Sequence, residues 1–267
     1  MTQTSAIAVD ETLLAKVEAI AEQAGSVILD HYHGAPQMRT KADASPVTAA
    51  DEAAEAVIIP ALQALTPDVP VVSEEAVAAG HVPEVHGAAN PSGRFWLVDP
   101  LDGTKEFIGR NGEFTVNIAL IEKGRPLLGV VHIPALGTTY GGIVGSVARM
   151  RREGVTRTIC TRDHPPDGAI VLSSRSHGDA DTLDSFLANE RIGGHRIAGS
   201  ALKFCLVAEG LADLYPRLGR TMEWDTAAGH AVVLAAGGCV KTLDGSDLVY
   251  GKPGFDNPHF VARGRSS

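Results

Sequence analysis

A chain of 267 residues with 23 basic and 32 acidic side chains, net charge −9, is long enough for a sizeable core in one large domain or two modest ones. The acidic balance argues against a nucleic-acid polymer as partner, since affinity for phosphate backbones comes mainly from Lys and Arg, and the absence of a long apolar run excludes an integral membrane segment. Met1 to Asp10 lacks a basic start followed by an apolar core, so the cytoplasm is the expected location, with peripheral attachment at the inner face of the membrane left open.

Along the chain, Leu13, Leu14, Val17, Ile20, Ala21, Ala24, Val27 and Ile28 recur at three and four, which predicts an amphipathic helix from Asp10, its cap, to about Asp30. A polar loop over Lys41–Asp51 leads into a second helix reaching Leu65. Thr48 and Asp51 read as a capping pair at its start, with catalysis by Asp51 as the other reading. Val69–Ser73 reads as a short buried strand ending in Glu74-Glu75, and Gly80–Gly93, punctuated by Pro and Gly, as the least ordered loop of this half.

The next stretch organises the chain. Phe95-Trp96-Leu97-Val98 is a buried-strand run that meets Asp99-Pro100, where proline lacks the donor for a sheet ladder, so the strand is expected to end and turn. Asp102-Gly103 supplies turn chemistry, and Asp102 or Thr104 is placed to cap a helix from Lys105, whose free amides point back at the strand end. Two carboxylates beside an anion-binding helix start suit a hard cation and a phosphate held together, although Asp-Pro and Asp-Gly are also ordinary turn formers.

Beyond it, Glu113–Ile121 and Pro126–Ile133 flank Lys123-Gly124 and predict an antiparallel hairpin, with a further strand over Tyr140–Val147. Arg149, Arg151 and Arg152 read as a solvated hairpin end. Val155–Gly168, with Pro165-Pro166, is the expected boundary between halves of residues 1–154 and 155–267. Strands at Ala169–Ser173, Ala212–Tyr215 and Cys239–Thr242 then alternate with helices at Ala180–Asn189, Ser200–Gly210 and Thr226–Ala236, as in a layered α/β arrangement. Cys160, Cys205 and Cys239 are odd in number and far apart, without Cys-x-x-Cys spacing, so they are expected as small core residues.

Glu223-Trp224-Asp225-Thr226 puts another carboxylate at a helix start, where a lone Asp is by default a cap. Taken together, Asp99-Pro100-Leu101-Asp102-Gly103-Thr104, Glu74-Glu75 before it and Trp224-Asp225 after it resemble the inositol monophosphatase superfamily of Mg²⁺-dependent, lithium-sensitive phosphomonoesterases. The wording Asp-Gly-Thr-Lys-Glu-Phe-Ile, Asn-Gly-Glu-Phe-Thr-Val-Asn and Glu-Trp-Asp-Thr-Ala-Ala-Gly-His resembles its bacterial bisphosphate nucleotidase branch. The likeness runs from about Lys41 to Pro258 and is weakest between Gly142 and Asp167.

The resemblance implies an α+β, layered αβαβα sandwich and two or three Mg²⁺ ions. Its metal ligands would be Glu74, Asp99, the Leu101 carbonyl, Asp102 and Asp225, with Asp99 bridging. It further implies that Thr104, hydrogen-bonded to Asp51, positions or deprotonates the attacking water, that Glu74 shares in catalysis, and that the Gly103 and Thr104 amides hold the phosphate. Leu101, Asp102 and Asp225 would also border the substrate, a small phosphorylated nucleotide; Ser200, Lys203 and Arg217 would contact it, the last two neutralising the phosphate that is not cleaved. Lys203 also reads as a solvated helix residue, Tyr215 as a core edge, and Arg175 and His177 as further contacts.

No Gly-x-x-x-x-Gly-Lys is present, and Asp99 and Asp102 lack the Asp-x-Asp spacing of a phospho-aspartyl enzyme. The expected activity is hydrolysis of the 3′-phosphate of adenosine 3′,5′-bisphosphate to AMP. The alternatives are an inositol or other sugar phosphatase and a non-catalytic metal- or nucleotide-binding protein. A homodimer is compatible with the sequence.

Overall fold

The computed structural model describes residues 8–33, 38–40, 46–88, 90–174, 180–188 and 190–265. Helix α1 (Glu11–His33) starts where Asp10 caps it, its carboxylate accepting from Leu13 N at 2.9 Å. Strands β1 (Met38–Thr40) and β2 (Pro46–Thr48) pair with each other, and α2 (Ala49–Leu65) follows. Side chains of 38–40 and 46–48 lie outside the described residues, and with them the Thr48 half of the expected capping pair.

A seven-stranded sheet takes β3 (Val71–Ser73), β4 (Arg94–Asp102), β5 (Thr115–Glu122), β6 (Arg125–Ile133), β7 (Thr138–Ile143), β8 (Val147–Arg152) and β9 (Val155–Thr158) in that spatial order. Two five-residue helices interrupt it, α3 (Glu74–Ala78) and α4 (Thr104–Ile108). The β5–β6 connection is the expected hairpin. Lys123 at φ 49° and Gly124 at φ 77° supply the two left-handed residues that match a tight turn to strand twist. The strand read over Tyr140–Val147 is instead the end of β7, a turn, and the start of β8.

A five-stranded sheet is built from β10 (Ala169–Ser173), β11 (Ile192–Ile197), β12 (Leu214–Arg217), β13 (Cys239–Thr242) and β14 (Phe260–Arg263), in the order β11-β10-β12-β14-β13. Its helices are α5 (Ala180–Leu187), α6 (Leu202–Ala208) and α7 (Glu223–Ala235). The expected division at 154/155 coincides with the tight β8–β9 turn, and the chain leaves the first sheet after Thr158.

Alternation along β4 sets the layers. Trp96 and Val98 face α1 and α2, joining Leu14, Val17, Ala21, Ile58 and Leu62, whereas Phe95 and Leu97 face the other way, joining Phe204, Trp224, Val232 and Phe260. Helix α7 lies between the sheets, and α5 covers the far face of the second through Leu187, Val171, Leu214 and Val261. The layers run helix, sheet, helix, sheet, helix: the α+β, layered αβαβα sandwich expected.

Three readings are corrected. Arg149 and Arg151 are not a solvated hairpin end, because β8 lies within reach of the acidic side chains of α1: Arg149 chelates the buried Glu18 through two bonds of 2.9 Å, and Arg151 pairs with Glu22. Cys160 is exposed and Cys239 half-buried, since each borders a strand end, and only Cys205, inside α6, is a core residue. The described part of the Gly80–Gly93 loop is pinned by buried Asn90, whose amide donates to Val85 O at 3.0 Å and Arg94 O at 2.9 Å.

Candidate active site

The expected turn at Asp99-Pro100 is a bulge, and β4 resumes beyond it. Asp99 pairs with Asn117 and Asp102 with Thr115, so three steps on β4 oppose two on β5; Pro100, with no amide hydrogen, and Leu101 fall outside the ladder. The Asp99 carboxylate accepts from Leu101 N at 3.1 Å, which turns it across its own bulge. Parallel pairing of β3 with β4 sets Ser73 opposite Val98, so the two strand ends deliver Glu74 and Asp99 side by side. Helix α7 adds Asp225 from its first turn, oriented by Met222 N at 2.9 Å; the N-cap is Met222, not Asp225. One oxygen of each of Glu74, Asp99 and Asp225 lies within 4.8 Å of the others.

Asp102 enters differently. Its Oδ2 accepts from Ala201 N at 2.7 Å and from Thr115 Oγ1 and Asn117 Nδ2, both at 3.3 Å. One carboxylate oxygen therefore fixes the strand end to the loop before α6, which leaves Oδ1 for a ligand. Neither Asp102 nor Thr104 caps the helix that follows: the N-cap of α4 is Gly103, at φ 93°. Glycine is required there both for that angle and because a Cβ would fall 2.0 Å from Ser200 Oγ. Ser200, itself left-handed at φ 47°, donates to Asp102 O at 2.9 Å.

The electrostatics record crowded negative charge. Asp99 is pushed well above the carboxylate range by burial and then by Glu74, Asp102, Asp225 and Asp51. Asp225 rises to about 8 through burial, Asp102 and Glu74; Asp102 rises only to about 6, because burial is opposed by Lys203 and by the Asn117 and Ala201 bonds. Asp51 is buried in the first turn of α2, close enough to act on Asp99. Thr104 lines the same cavity, and among the described residues its hydroxyl makes no hydrogen bond to Asp51.

This cavity of about 450 Å³ opens between the sheets, with Glu74, Asp99, Leu101, Asp102, Gly103 and Thr104 on one side and Ser200, Lys203, Arg217 and Asp225 on the other. No His or Cys is among its described lining residues, and an all-oxygen donor set of converging carboxylates fits a hard divalent cation such as Mg²⁺. Lys203 is buried, not solvated: Nζ donates to Ser200 O at 2.7 Å and Ala198 O at 3.2 Å and lies 5.3 Å from the centre of the Tyr215 ring. Burial lowers its ammonium to about 8, against the pull of Asp102. Arg217 donates to Arg220 O at 2.8 Å, while its Nε is buried with no partner among the described residues. Arg175 and His177 lie outside the described residues.

Sequence reasoning missed the supports. Asn117 and Thr115 are fully buried polar residues within an apolar strand, a pattern that could have signalled their role beneath Asp102. Glu223, also fully buried, accepts from Gly251 N at 2.5 Å and Lys252 N at 2.9 Å and pairs with Lys252 Nζ at 2.6 Å, anchoring the turn that presents Asp225.

Residues 8–263 match the model of the inositol monophosphatase family. The 3′(2′),5′-bisphosphate nucleotidase CysQ of Salmonella typhimurium is 51% identical over 253 residues, covering 93% of this chain and 98% of that protein; the protein of the same name from Escherichia coli K12 is 50% identical over the same shares. Among solved structures, CysQ from Bacteroides thetaiotaomicron, a bacterial member of the inositol monophosphatase family, superposes with a TM-score of 0.78 at 36% identity, over 96% of this chain and 98% of that one. An inositol monophosphatase from Anabaena gives 0.74 at 26%, over 95% and 90%. Matched in sequence over nearly its whole length and in fold over the same span, the chain belongs to the inositol monophosphatase family.

Proposed function

We propose that the protein is a Mg²⁺-dependent 3′(2′),5′-bisphosphate nucleotidase that hydrolyses the 3′-phosphate of adenosine 3′,5′-bisphosphate to AMP and phosphate. The observation that carries this reading is the convergence of Glu74, Asp99 and Asp225, with Asp102 beside them, in a cavity whose opposite wall offers Lys203 and Arg217. The half-identical, full-length relatives named for that activity support the same substrate.

Glu74, Asp99, the Leu101 carbonyl, Asp102 and Asp225 would hold two or three ions. When bound, Mg²⁺ supplies charge neutralisation at the phosphoryl oxygens and acidifies water. The residues of the chain do the positioning. Gly103 and Thr104, at the start of α4, would offer amide hydrogens and a hydroxyl to the phosphate. Asp51, through its charge on Asp99, and Thr104, through its hydroxyl in the cavity, would orient the attacking water. A substrate with one phosphate leaves Arg217, across the cavity, without an anion; a bisphosphate supplies it.

The test is phosphate release from adenosine 3′,5′-bisphosphate, inositol 1-phosphate and fructose 1,6-bisphosphate, each with Mg²⁺, with chelator and with lithium. The nucleotide should show the highest kcat/KM by at least about tenfold, lost with chelator and lowered by lithium. A preference for either sugar phosphate overturns the substrate while keeping the metal chemistry.

A further inference from the structure

Glu106 is the third residue of α4 and faces the same cavity as the carboxylate cluster. At that position a glutamate ordinarily reaches back to the amide of the N-cap residue. Here it does not: among the described residues no hydrogen bond or ion pair reaches its carboxylate. The side chain is nevertheless held in place. Its Cγ would lie 2.7 Å from a Cβ on Gly199, so only glycine at 199 leaves room for it, and its Oε2 would lie 3.1 Å from a Cβ on Gly103. The carboxylate thus sits against Gly103, the residue to which the proposed function gives a phosphate contact. The Lys203 ammonium couples to it through space but spends its hydrogen bonds on Ala198 and Ser200.

A carboxylate beside a phosphate site is repelled by the substrate unless it has a donor to accept from. Lys203, which also faces Asp102 and Glu113, offsets part of the charge, and the rest calls for a hydroxyl on the ligand next to the phosphate. In a nucleoside 3′-phosphate that donor exists, on the ribose carbon adjacent to the esterified one, and in a 2′-phosphate the roles exchange. We propose that Glu106 is a specificity-determining residue that accepts a hydrogen bond from the ribose hydroxyl vicinal to the scissile phosphate, so that the enzyme selects ribonucleotides over deoxyribonucleotides. This rests on the nucleotidase reading above.

The experiment compares adenosine 3′,5′-bisphosphate with its 2′-deoxy counterpart in the wild type, Glu106→Ala and Glu106→Gln. It reads kcat/KM with Mg²⁺ and, by calorimetry, binding of the products AMP and 2′-deoxy-AMP. The wild type should favour the ribonucleotide by about 10- to 100-fold, the range of a hydrogen bond to a charged group. Glu106→Ala should bring the ratio near one by weakening the ribonucleotide alone, and Glu106→Gln should fall between. If Glu106→Ala melts early, Glu106→Gln, which keeps the volume, decides. A wild-type ratio near one, or a ratio that survives in a folded variant, overturns the proposal. Failure of the wild type to cleave either nucleotide overturns the nucleotidase reading itself and is told apart by that.

Discussion

At the scale of single residues, the site crowds several carboxylates together away from water. Asp99 lies under burial and four other carboxylates, so neutralising it removes repulsion. Asp99→Asn should therefore lower turnover by at least about a hundredfold and yet raise the Tm of the chelated protein at alkaline pH, by about 2–4 °C for each kcal/mol relieved. An activity assay beside a melting curve checks both.

The pH dependence has two limbs of opposite sign. A carboxylate raised in the fold, Asp102 to about 6 and Asp225 to about 8, contributes stability that is full below its unfolded value and is lost as pH climbs through those folded values. Buried histidines act the other way: His132 is lowered to about 4 and His230 to about 3, mainly by burial, so each contributes above its ordinary value of 6.5 and loses that contribution as pH falls below it. With chelator present, the two limbs oppose each other between about pH 4 and 6.5, and above 6.5 only the carboxylate loss remains, so Tm should fall from pH 6.5 to 8 and saturating Mg²⁺ should remove that decline. Melting curves across pH with and without Mg²⁺ give the answer.

Among the elements, α7 decides most, because it carries Asp225 and is packed between both sheets. It comes close through small residues. A Cβ on Gly129 of β6 would meet Ala228 O at 2.3 Å and Ala231 Cβ at 2.7 Å, and one on Gly142 of β7 would lie 2.9 Å from Ala235 Cβ. Gly129→Val should thus push the helix outward, costing about 1–3 kcal/mol in urea unfolding and displacing Asp225 enough to weaken Mg²⁺ binding. The helix itself was legible from its apolar residues; its close seat on the sheet was not, since nothing in Gly129 or Gly142 names the alanines they face. The β4 bulge was half legible, because Pro100 announces a break in the ladder while the return of the strand at Asp102 depends on its partner Thr115. Strands β11 and β14 escaped notice: Ile192-Gly-Gly-His-Arg-Ile has glycines inside an edge strand, and β14 is only four residues long.

At the scale of the whole molecule, one core joins both halves. Phe95, Leu97 and Ile121 of the first sheet share a cluster with Leu172, Phe204 and Trp224. Calorimetry should accordingly give a single cooperative transition; two separable transitions would mean that the halves fold independently. The cavity exists only because these layers close, with its clustered carboxylates Glu74, Asp99 and Asp225 coming from the start of α3, from β4 and from the first turn of α7.

What the sequence by itself determined was most of the helices and strands, because apolar periodicity and turn residues are local properties of a chain, and, through the resemblance its short motifs carry, the expected layered fold and the identity of the acidic residues. Tertiary structure alone decided which carboxylates meet, that Asp102 divides its oxygens between the loop at Ala201 and the cavity, that Lys203 is buried on two carbonyls, and that Arg149 serves α1. Those outcomes depend on burial or, for Asp102 and Arg149, on partners 99 and 131 residues away, and a charged side chain takes its role from what surrounds it once water has been excluded.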